Sequence, residues 1–219
     1  MLLSLSSLRK YHSSFRPIAT RTPMQELRAQ AEFLKQQEFP SKIWQTSRTY
    51  KSPGGRKEVQ SWLEMNPGYR YERITQANDQ AYVRETFPHD PDLLNVLFQL
   101  DDGMLRADLI QYIFLYAEGG VYTDMDTVCL TPIRLWVPEQ YSKQANLVLG
   151  IEGDCQGGEI ISGFSHCVQF ATWTMMVKPG HFILKIILHH VSVQRSLGLC
   201  GAFPRRSCHW LKALDDRNP

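Results

Sequence analysis

Hydrophobic positions in the middle of the chain change from helical to strand spacing within a few residues. Between Met104 and Glu118 apolar residues recur three and four positions apart, at Leu105, Leu109, Tyr112, Ile113 and Tyr116. Gly119-Gly120 follows directly, and such a pair ends a helix because it accepts positive φ. Residues 121–126 then begin β-branched and aromatic and end in two carboxylates. The pattern predicts a helix, a glycine turn and a strand as one unit.

Strand and helix patterns also alternate before and after this unit. Upstream, strands are predicted at residues 42–46 and 69–74, and helices at 22–39, at 58–65 and twice between 79 and 100. Downstream, the pattern predicts a buried strand at 147–151, a short helix or strand at 167–176 and a helix at 181–193. This alternation predicts an α/β fold.

Composition narrows the class of protein. The 219 residues are 43% hydrophobic and 21% charged, which is typical of a globular chain with a core. Lys and Arg (24) nearly balance Asp and Glu (22), and no long basic run occurs, so we expect no nucleic-acid partner. The longest apolar stretch, residues 182–191, is interrupted by Lys185 and falls short of the ~20 residues of a membrane span.

The two ends of the chain differ from its middle. Residues 1–23 contain Arg9, Lys10, Arg16 and Arg21, several serines and no acidic residue, which fits either a disordered tail or a transit peptide. Beyond Leu199 the alternating pattern degrades. We therefore expect a tail at residues 1–23, one domain at 24–199 and a divergent tail at 200–219.

The five cysteines are an odd number and contain no C-x-x-C pair. Two interpretations stay open. Cys155 and Cys167 form a disulfide in an oxidising compartment, or the cysteines are free and buried.

Asp124 and Asp126 are the strongest candidate for chemistry. One residue separates them, so on an extended backbone both carboxylates face one side and Met125 turns to the core. Two carboxylates leave a hard divalent cation to complete its shell with water and phosphate oxygens. The carboxyl end of a strand is also where α/β sheets bind ligands. The spacing therefore predicts a cation site for a substrate that carries a diphosphate.

Several sequence blocks occur in one order that resembles a known family. The central blocks are Arg106-Ala107-Asp108, Gly119-Gly120-Val121-Tyr122 and Asp124-Met125-Asp126. Further blocks are Lys42-Ile43-Trp44-Gln45-Thr46 upstream and Gln169-Phe170-Ala171-Thr172-Trp173-Thr174 downstream. Together they resemble glycosyltransferase family 32, and within it the initiation-specific α-1,6-mannosyltransferases of fungi.

The resemblance implies an overall fold and a reaction. It implies a single GT-A-like domain with a mixed sheet flanked by helices, a GDP-mannose donor, and Mn²⁺ (or Mg²⁺) as cofactor. It further implies transfer to a mannose of an N-glycan with retained configuration, a location in the Golgi and partners in a mannosyltransferase complex.

The resemblance also implies roles for particular side chains. Asp126 would ligate the metal, and Asp124 would hold the donor and support the metal. Asp108 would bind the donor sugar, Arg106 would pair with an acid nearby in the donor site, and Tyr122 would pack beside the donor. Trp44 would stack on the nucleobase, with a core tryptophan as the alternative.

One position departs from the family pattern. Gln111 stands three residues after Asp108, where related enzymes carry an arginine, and a neutral amide loses a charge-assisted contact to phosphate.

Two alternatives to an active transferase stay open. One is a weakly active, nucleotide-sugar-binding remnant. The other is a haloacid-dehalogenase-like phosphohydrolase with Asp124 as nucleophile, for which Asp215-Asp216 would be the later acidic pair.

Overall fold

The computed structural model describes residues 23–48, 56–100, 103–164 and 166–196. The helices are α1 (Pro23–Lys35), α2 (Arg56–Met65), α3 (Asp79–Thr86), α4 (Pro91–Phe98), α5 (Gly103–Glu118) and α6 (Phe182–Ser196). The strands are β1 (Lys42–Ser47), β2 (Arg70–Thr75), β3 (Gly120–Thr123), β4 (Leu147–Asp154) and β5 (Val168–Val177). The predicted tails, apart from Pro23, lie outside the described residues.

The strands form one mixed sheet in the order β2-β1-β3-β5-β4. β1 runs parallel to β2 and β3, whereas β5 is antiparallel to β3 and β4. Because β1, β2 and β3 are parallel, their carboxyl ends meet at one edge of the sheet. The mixed sheet with flanking helices confirms the predicted α/β class, and β5 shows that residues 167–176 are strand rather than helix.

Side chains pack on both faces of the sheet. On one face Trp44 and Tyr122 lie in a core that α3, α4, α5 and α6 cover. On the other face Ile43 and Val121 pack with Trp62 of α2. β1 is therefore buried on both sides, as expected for a central parallel strand.

The glycine turn between α5 and β3 confirms the predicted unit. Gly119 and Gly120 have φ of 66° and 102°, which glycine adopts without strain. A Cβ on Gly119 would lie 2.7 Å from Pro179, and one on Gly120 would lie 2.7 Å from the carbonyl oxygen of Lys42. The turn thus leads α5 directly into the central strand that precedes Asp124.

The hairpin of β4 and β5 carries a disulfide between Cys155 and Cys167. Cys129 is a free, buried thiol. The disulfide interpretation is therefore correct for Cys155 and Cys167, and the free, buried interpretation is correct for Cys129. Cys200 and Cys208 lie outside the described residues. No helix in the described ranges is both long and apolar enough to cross a membrane.

Candidate active site

The acidic pair lies in a tight turn at the end of β3. The strand ends at Thr123, and the amide of Thr127 donates to the carbonyl oxygen of Asp124 at 3.3 Å. The prediction that both carboxylates extend from a strand, with Met125 in the core, is therefore wrong. Met125 is half-buried and Asp126 is exposed. The turn brings the two acids to the sheet edge by a different backbone path.

Contacts from distant parts of the chain fix this turn. The carbonyl oxygen of Asp124 accepts from Thr127 Oγ1 at 2.6 Å and from Gln45 Nε2 at 3.2 Å. Trp62 Nε1 of α2 donates to the carbonyl oxygen of Thr127 at 3.1 Å. The turn is thus attached to β1 and to α2, which orders the backbone that carries both carboxylates.

Tyr122 holds the Asp124 carboxylate. Its hydroxyl donates to Asp124 Oδ1 at 2.5 Å. The same hydroxyl lies 3.1 Å from Thr46 Oγ1 and accepts a hydrogen bond from it, because its own proton is already used. Burial raises the pKa of Asp124, the Tyr122 hydrogen bond lowers it, and the charge of Asp126 raises it. Burial and the Asp124 charge also raise the pKa of Tyr122, so the phenol keeps its proton and remains a donor.

The residues present fit a hard divalent cation that is shared with a ligand. Asp124 and Asp126 supply carboxylate oxygens, and burial together with the Asp126 charge raises the pKa of Asp124, so a positive charge bound there would favour the ionised carboxylate. The described residues contain no group of three or more His, Cys, Asp or Glu placed to hold a metal. Most of the coordination shell would therefore come from water and ligand oxygens.

A cavity of about 390 Å³ opens at the carboxyl ends of β1 and β2. Its walls are the carboxyl ends of β1 and β2 and the first turns of α5, including Thr46, Thr75 and Ala107. Its volume lies in the range of small-ligand sites. Thr46 lines the cavity and also contacts the Tyr122 hydroxyl, so a short chain of hydrogen bonds joins the cavity to Asp124.

Arg106 lies in the cavity wall but is engaged with protein groups. Its Nε and Nη2 donate to the two carboxylate oxygens of Asp79 at 2.6 and 2.9 Å. Its Nη1 donates to the carbonyl oxygen of Leu97 at 3.0 Å. The expected pairing of Arg106 with a nearby acid is observed. The guanidinium joins α3, α4 and α5 around the cavity, so it shapes the wall.

Trp44 does not have the geometry expected of a nucleobase platform. Its side chain is 0% exposed, its ring stacks on Phe114 with centroids 4.5 Å apart, and its Nε1 donates to the Gly119 carbonyl oxygen at 2.9 Å. The stacking prediction is wrong for this structure, and the core interpretation is correct. Both faces of a central strand are covered, so an aromatic residue there has no free face.

Asp108 and Gln111 lie on α5 near these groups. Asp108 is half-buried, and its charge makes the smallest contribution to the raised pKa of Tyr122, after burial and the Asp124 charge. Gln111 is buried, and its Nε2 has no hydrogen-bond partner among the described residues. The structure therefore brings Tyr122, Asp124 and the exposed Asp126 to one edge of the sheet.

Three contributing residues had no assigned role in the sequence analysis. Thr46 and Gln45 belong to the first-strand block, and their position at its carboxyl end was the available signal. Asp79 begins α3, but only the folded structure shows that it neutralises Arg106.

The mixed five-stranded sheet with flanking helices places the fold in the GT-A-like class. A solved structure titled "PaToxG Glycosyltransferase" shares the fold with a TM-score of 0.56 at 12% identity, covering 98% of this chain and 81% of that one. Residues 54–143 match the family described as "Glycosyltransferase sugar-binding region containing DXD motif". This match supports the predicted resemblance to glycosyltransferase family 32.

Curated relatives are fungal glycosyltransferases. HOC1 of Saccharomyces cerevisiae, named as a glycosyltransferase, is 32% identical over 155 residues, covering 70% of this chain and 39% of the relative. The initiation-specific alpha-1,6-mannosyltransferase of Candida albicans is 29% identical over 181 residues, covering 78% and 47%. Mannosyl phosphorylinositol ceramide synthase SUR1 of Saccharomyces cerevisiae is 33% identical over 128 residues, covering 56% and 32%.

The chain spans less than half the length of these curated relatives. The family match favours a glycosyltransferase over the haloacid-dehalogenase-like alternative, whose second acidic pair, Asp215-Asp216, lies outside the described residues.

Proposed function

We propose that this protein transfers mannose from GDP-mannose to a mannose of an N-glycan, with retained configuration and with Mn²⁺ (or Mg²⁺) as cofactor. The observation that carries the proposal is the Thr46–Tyr122–Asp124 chain of hydrogen bonds, which joins a ligand-sized cavity to a pair of carboxylates. The names of the initiation-specific relatives support mannose transfer in the α-1,6 class.

The cavity is the proposed site of the nucleoside. It lies at the carboxyl ends of β1 and β2, where α/β sheets bind nucleotides, and Thr75 and Gln76 give it polar walls. Arg106 and Asp79 hold that wall through their paired hydrogen bonds. This arrangement replaces Trp44, whose indole is enclosed by the core, as the element that accommodates the base.

The acidic turn is the proposed site of the diphosphate. A divalent cation bound there would neutralise the leaving diphosphate as a Lewis acid. Asp126, which is exposed, and Asp124 would hold it, while Tyr122 orients one Asp124 oxygen by donating its proton. Asp108, two residues after Arg106 on α5, would accept a hydrogen bond from the donor sugar.

The compartment and partners follow from relatives and chemistry. Fungal mannosyltransferases with these names support a location in the secretory pathway, and the proposal places the protein in the Golgi, within reach of mannosyltransferase complex members. The Cys155–Cys167 disulfide supports an oxidising lumen.

The test is product formation. The protein is incubated with GDP-mannose, MnCl₂ and a high-mannose oligosaccharide, and the glycan mass is measured. The proposal expects a gain of one hexose that requires the metal. Absence of that gain, with a folded protein and a positive-control transferase in parallel, contradicts the proposal.

A second candidate is a donor-binding protein with little turnover. The buried, neutral Gln111 favours it, because an uncharged amide stabilises departing phosphates less than a cation does. Metal-dependent GDP-mannose binding without any glycan mass gain would support this candidate. Gln111→Arg would then restore transfer if the lost charge is the cause.

A further inference from the structure

Trp173 of β5 stands directly opposite Asp124. β3 and β5 pair antiparallel with Tyr122 opposite Met175 and Thr123 opposite Thr174. The amide of Asp124 donates to the carbonyl oxygen of Trp173 at 2.9 Å, which continues this ladder by one residue. Directly opposite residues of an antiparallel pair project to the same face, with Cβ atoms about 4.5–5.5 Å apart. Trp173 therefore shares the face of the Asp124 carboxylate.

The Trp173 indole differs from the other described tryptophans. The indole nitrogens of Trp44, Trp62 and Trp136 each donate to a backbone carbonyl oxygen. Trp173 is 43% exposed, and its side chain has no hydrogen bond or ring contact within the described residues. Its next neighbour on that face, Met175, is 3% exposed. A large aromatic surface thus becomes accessible just where the strand passes the acidic turn.

The position of Trp173 separates it from the nucleotide cavity. In the strand order β2-β1-β3-β5, the cavity lies at β1 and β2, and Trp173 lies on β5, on the far side of the acidic turn. A donor that spans the cavity and the turn leaves this flank for a second substrate. One face of a hexopyranose presents C–H groups to an aromatic ring, and its hydroxyl rim accepts hydrogen bonds from an indole N–H.

We infer that Trp173 is the platform on which the acceptor hexose stacks during transfer. This inference rests on the proposed function and names its acceptor subsite. The wild-type protein, Trp173→Ala, Trp173→Phe and the control Phe170→Ala serve as the test set. Phe170 is similarly exposed at 44% on the same strand, but it pairs with Ile151 of β4 beyond a register shift and lies away from the acidic turn along β5.

The first measurement does not depend on turnover. Saturation-transfer NMR with α-linked mannobiose, in the presence of GDP and diamagnetic MgCl₂, reports direct contact between sugar and protein. Saturation of the mannobiose ring protons is expected in the wild type and in Phe170→Ala, reduced in Trp173→Phe and lost in Trp173→Ala. Equal saturation in wild type and Trp173→Ala, or none in the wild type, overturns the inference.

The second measurement separates the acceptor from the donor. In the hexose-transfer assay, Trp173→Ala is expected to raise the KM for the oligosaccharide on the order of tenfold and to leave the KM for GDP-mannose unchanged. Unfolding midpoints equal to that of the wild type confirm that the variants fold. A wild type that binds mannobiose through Trp173 but transfers nothing contradicts the proposed function and leaves the acceptor platform standing. An unchanged acceptor KM in an active Trp173→Ala contradicts the platform alone.

Discussion

The two ends of β1 differ in how their charged side chains are neutralised. At its start, Lys42 is 7% exposed and its Nζ lies 2.6 Å from Glu118 and 3.3 Å from Glu72. At its other end, Asp124 and Asp126 form no ion pair with the described residues, and burial, with a smaller contribution from the Asp126 charge, raises the Asp124 pKa. The protein supplies its own cation at the first end, which we call the closed end of β1. The second end, which we call the open end, has the charge balance of a site that takes its cation from solution together with a ligand.

Removing an acid at the open end should cost activity and leave the fold intact. Asp126→Ala is expected to lower hexose transfer on the order of a hundredfold or more, because it removes an exposed oxygen donor from the metal site. The assay is glycan mass gain at saturating GDP-mannose. Asp92→Asn, an exposed acid in the first turn of α4, is the matched control and should retain activity. Equal activity in both variants would remove Asp126 from the site.

Removing Lys42, the cation at the closed end, should lower the stability of the fold. Lys42→Met leaves Glu118 and Glu72 without their shared partner and is expected to lower the free energy of unfolding by about 3 kcal/mol. Urea unfolding at pH 7 measures this change. Lys35→Met, in an exposed pair with Glu32, should cost less than about 1 kcal/mol. A free energy of unfolding of Lys42→Met equal to that of the wild type would contradict this role of Lys42.

The closed end also contains a pH-dependent contact. Gly180 donates its amide to the Tyr116 carbonyl oxygen near the end of α5. The next residue, His181, accepts from the Ile183 amide through Nδ1, so its Nε2–H donates to Asn146 Oδ1 at 3.0 Å. Burial lowers the pKa of His181 to about 4, below the unfolded value of about 6.5.

The folded state therefore holds the His181 imidazole in its neutral form. The free energy of unfolding decreases as pH falls from about 6.5 towards 4. We expect this histidine to contribute about 1–2 kcal/mol to the loss between pH 7 and pH 5. His181→Gln should flatten the pH dependence of urea unfolding, whereas His89→Gln, an exposed control, should not. Parallel curves for wild type and His181→Gln would contradict the assignment.

The smallest expected effect sharpens the role of Tyr122. Tyr122→Phe removes the donor to Asp124 and should cost about 1 kcal/mol of stability. Because that hydrogen bond lowers the pKa of Asp124, its loss raises this pKa further, and metal-dependent GDP binding should then fail at a higher pH on acidification. Binding titrations across pH measure the shift. Tyr82→Phe, which loses a bond to Glu118 at the closed end, should leave the binding profile unchanged.

Local signals explain what the sequence analysis predicted correctly. The periodicity of α5 and the positive φ of Gly119 and Gly120 depend on neighbouring residues, so the helix–turn–strand unit could be predicted. The acidic turn could not, because it depends on Trp62 Nε1, which reaches Thr127 from α2. A strand continued through Asp126 was the natural but wrong expectation.

The Trp44 error has a similar origin. A tryptophan in a strand near a ligand site looks the same in the sequence whether it faces ligand or core. Only the layer that α5 adds through Phe114 shows that the indole is covered. The cavity likewise depends on the parallel pairing of β1 with β2, which brings Thr46 and Thr75 together from separate segments. The roles of Asp124, Asp126 and Asp108 stay predictions.

Isothermal titration of GDP into the protein, with and without MnCl₂, tests most directly whether the open end of β1 takes its cation with a diphosphate. Binding that requires Mn²⁺ in the wild type and disappears in Asp126→Ala is the predicted result. GDP binding that is equally strong without metal, or unchanged in Asp126→Ala, would contradict the account.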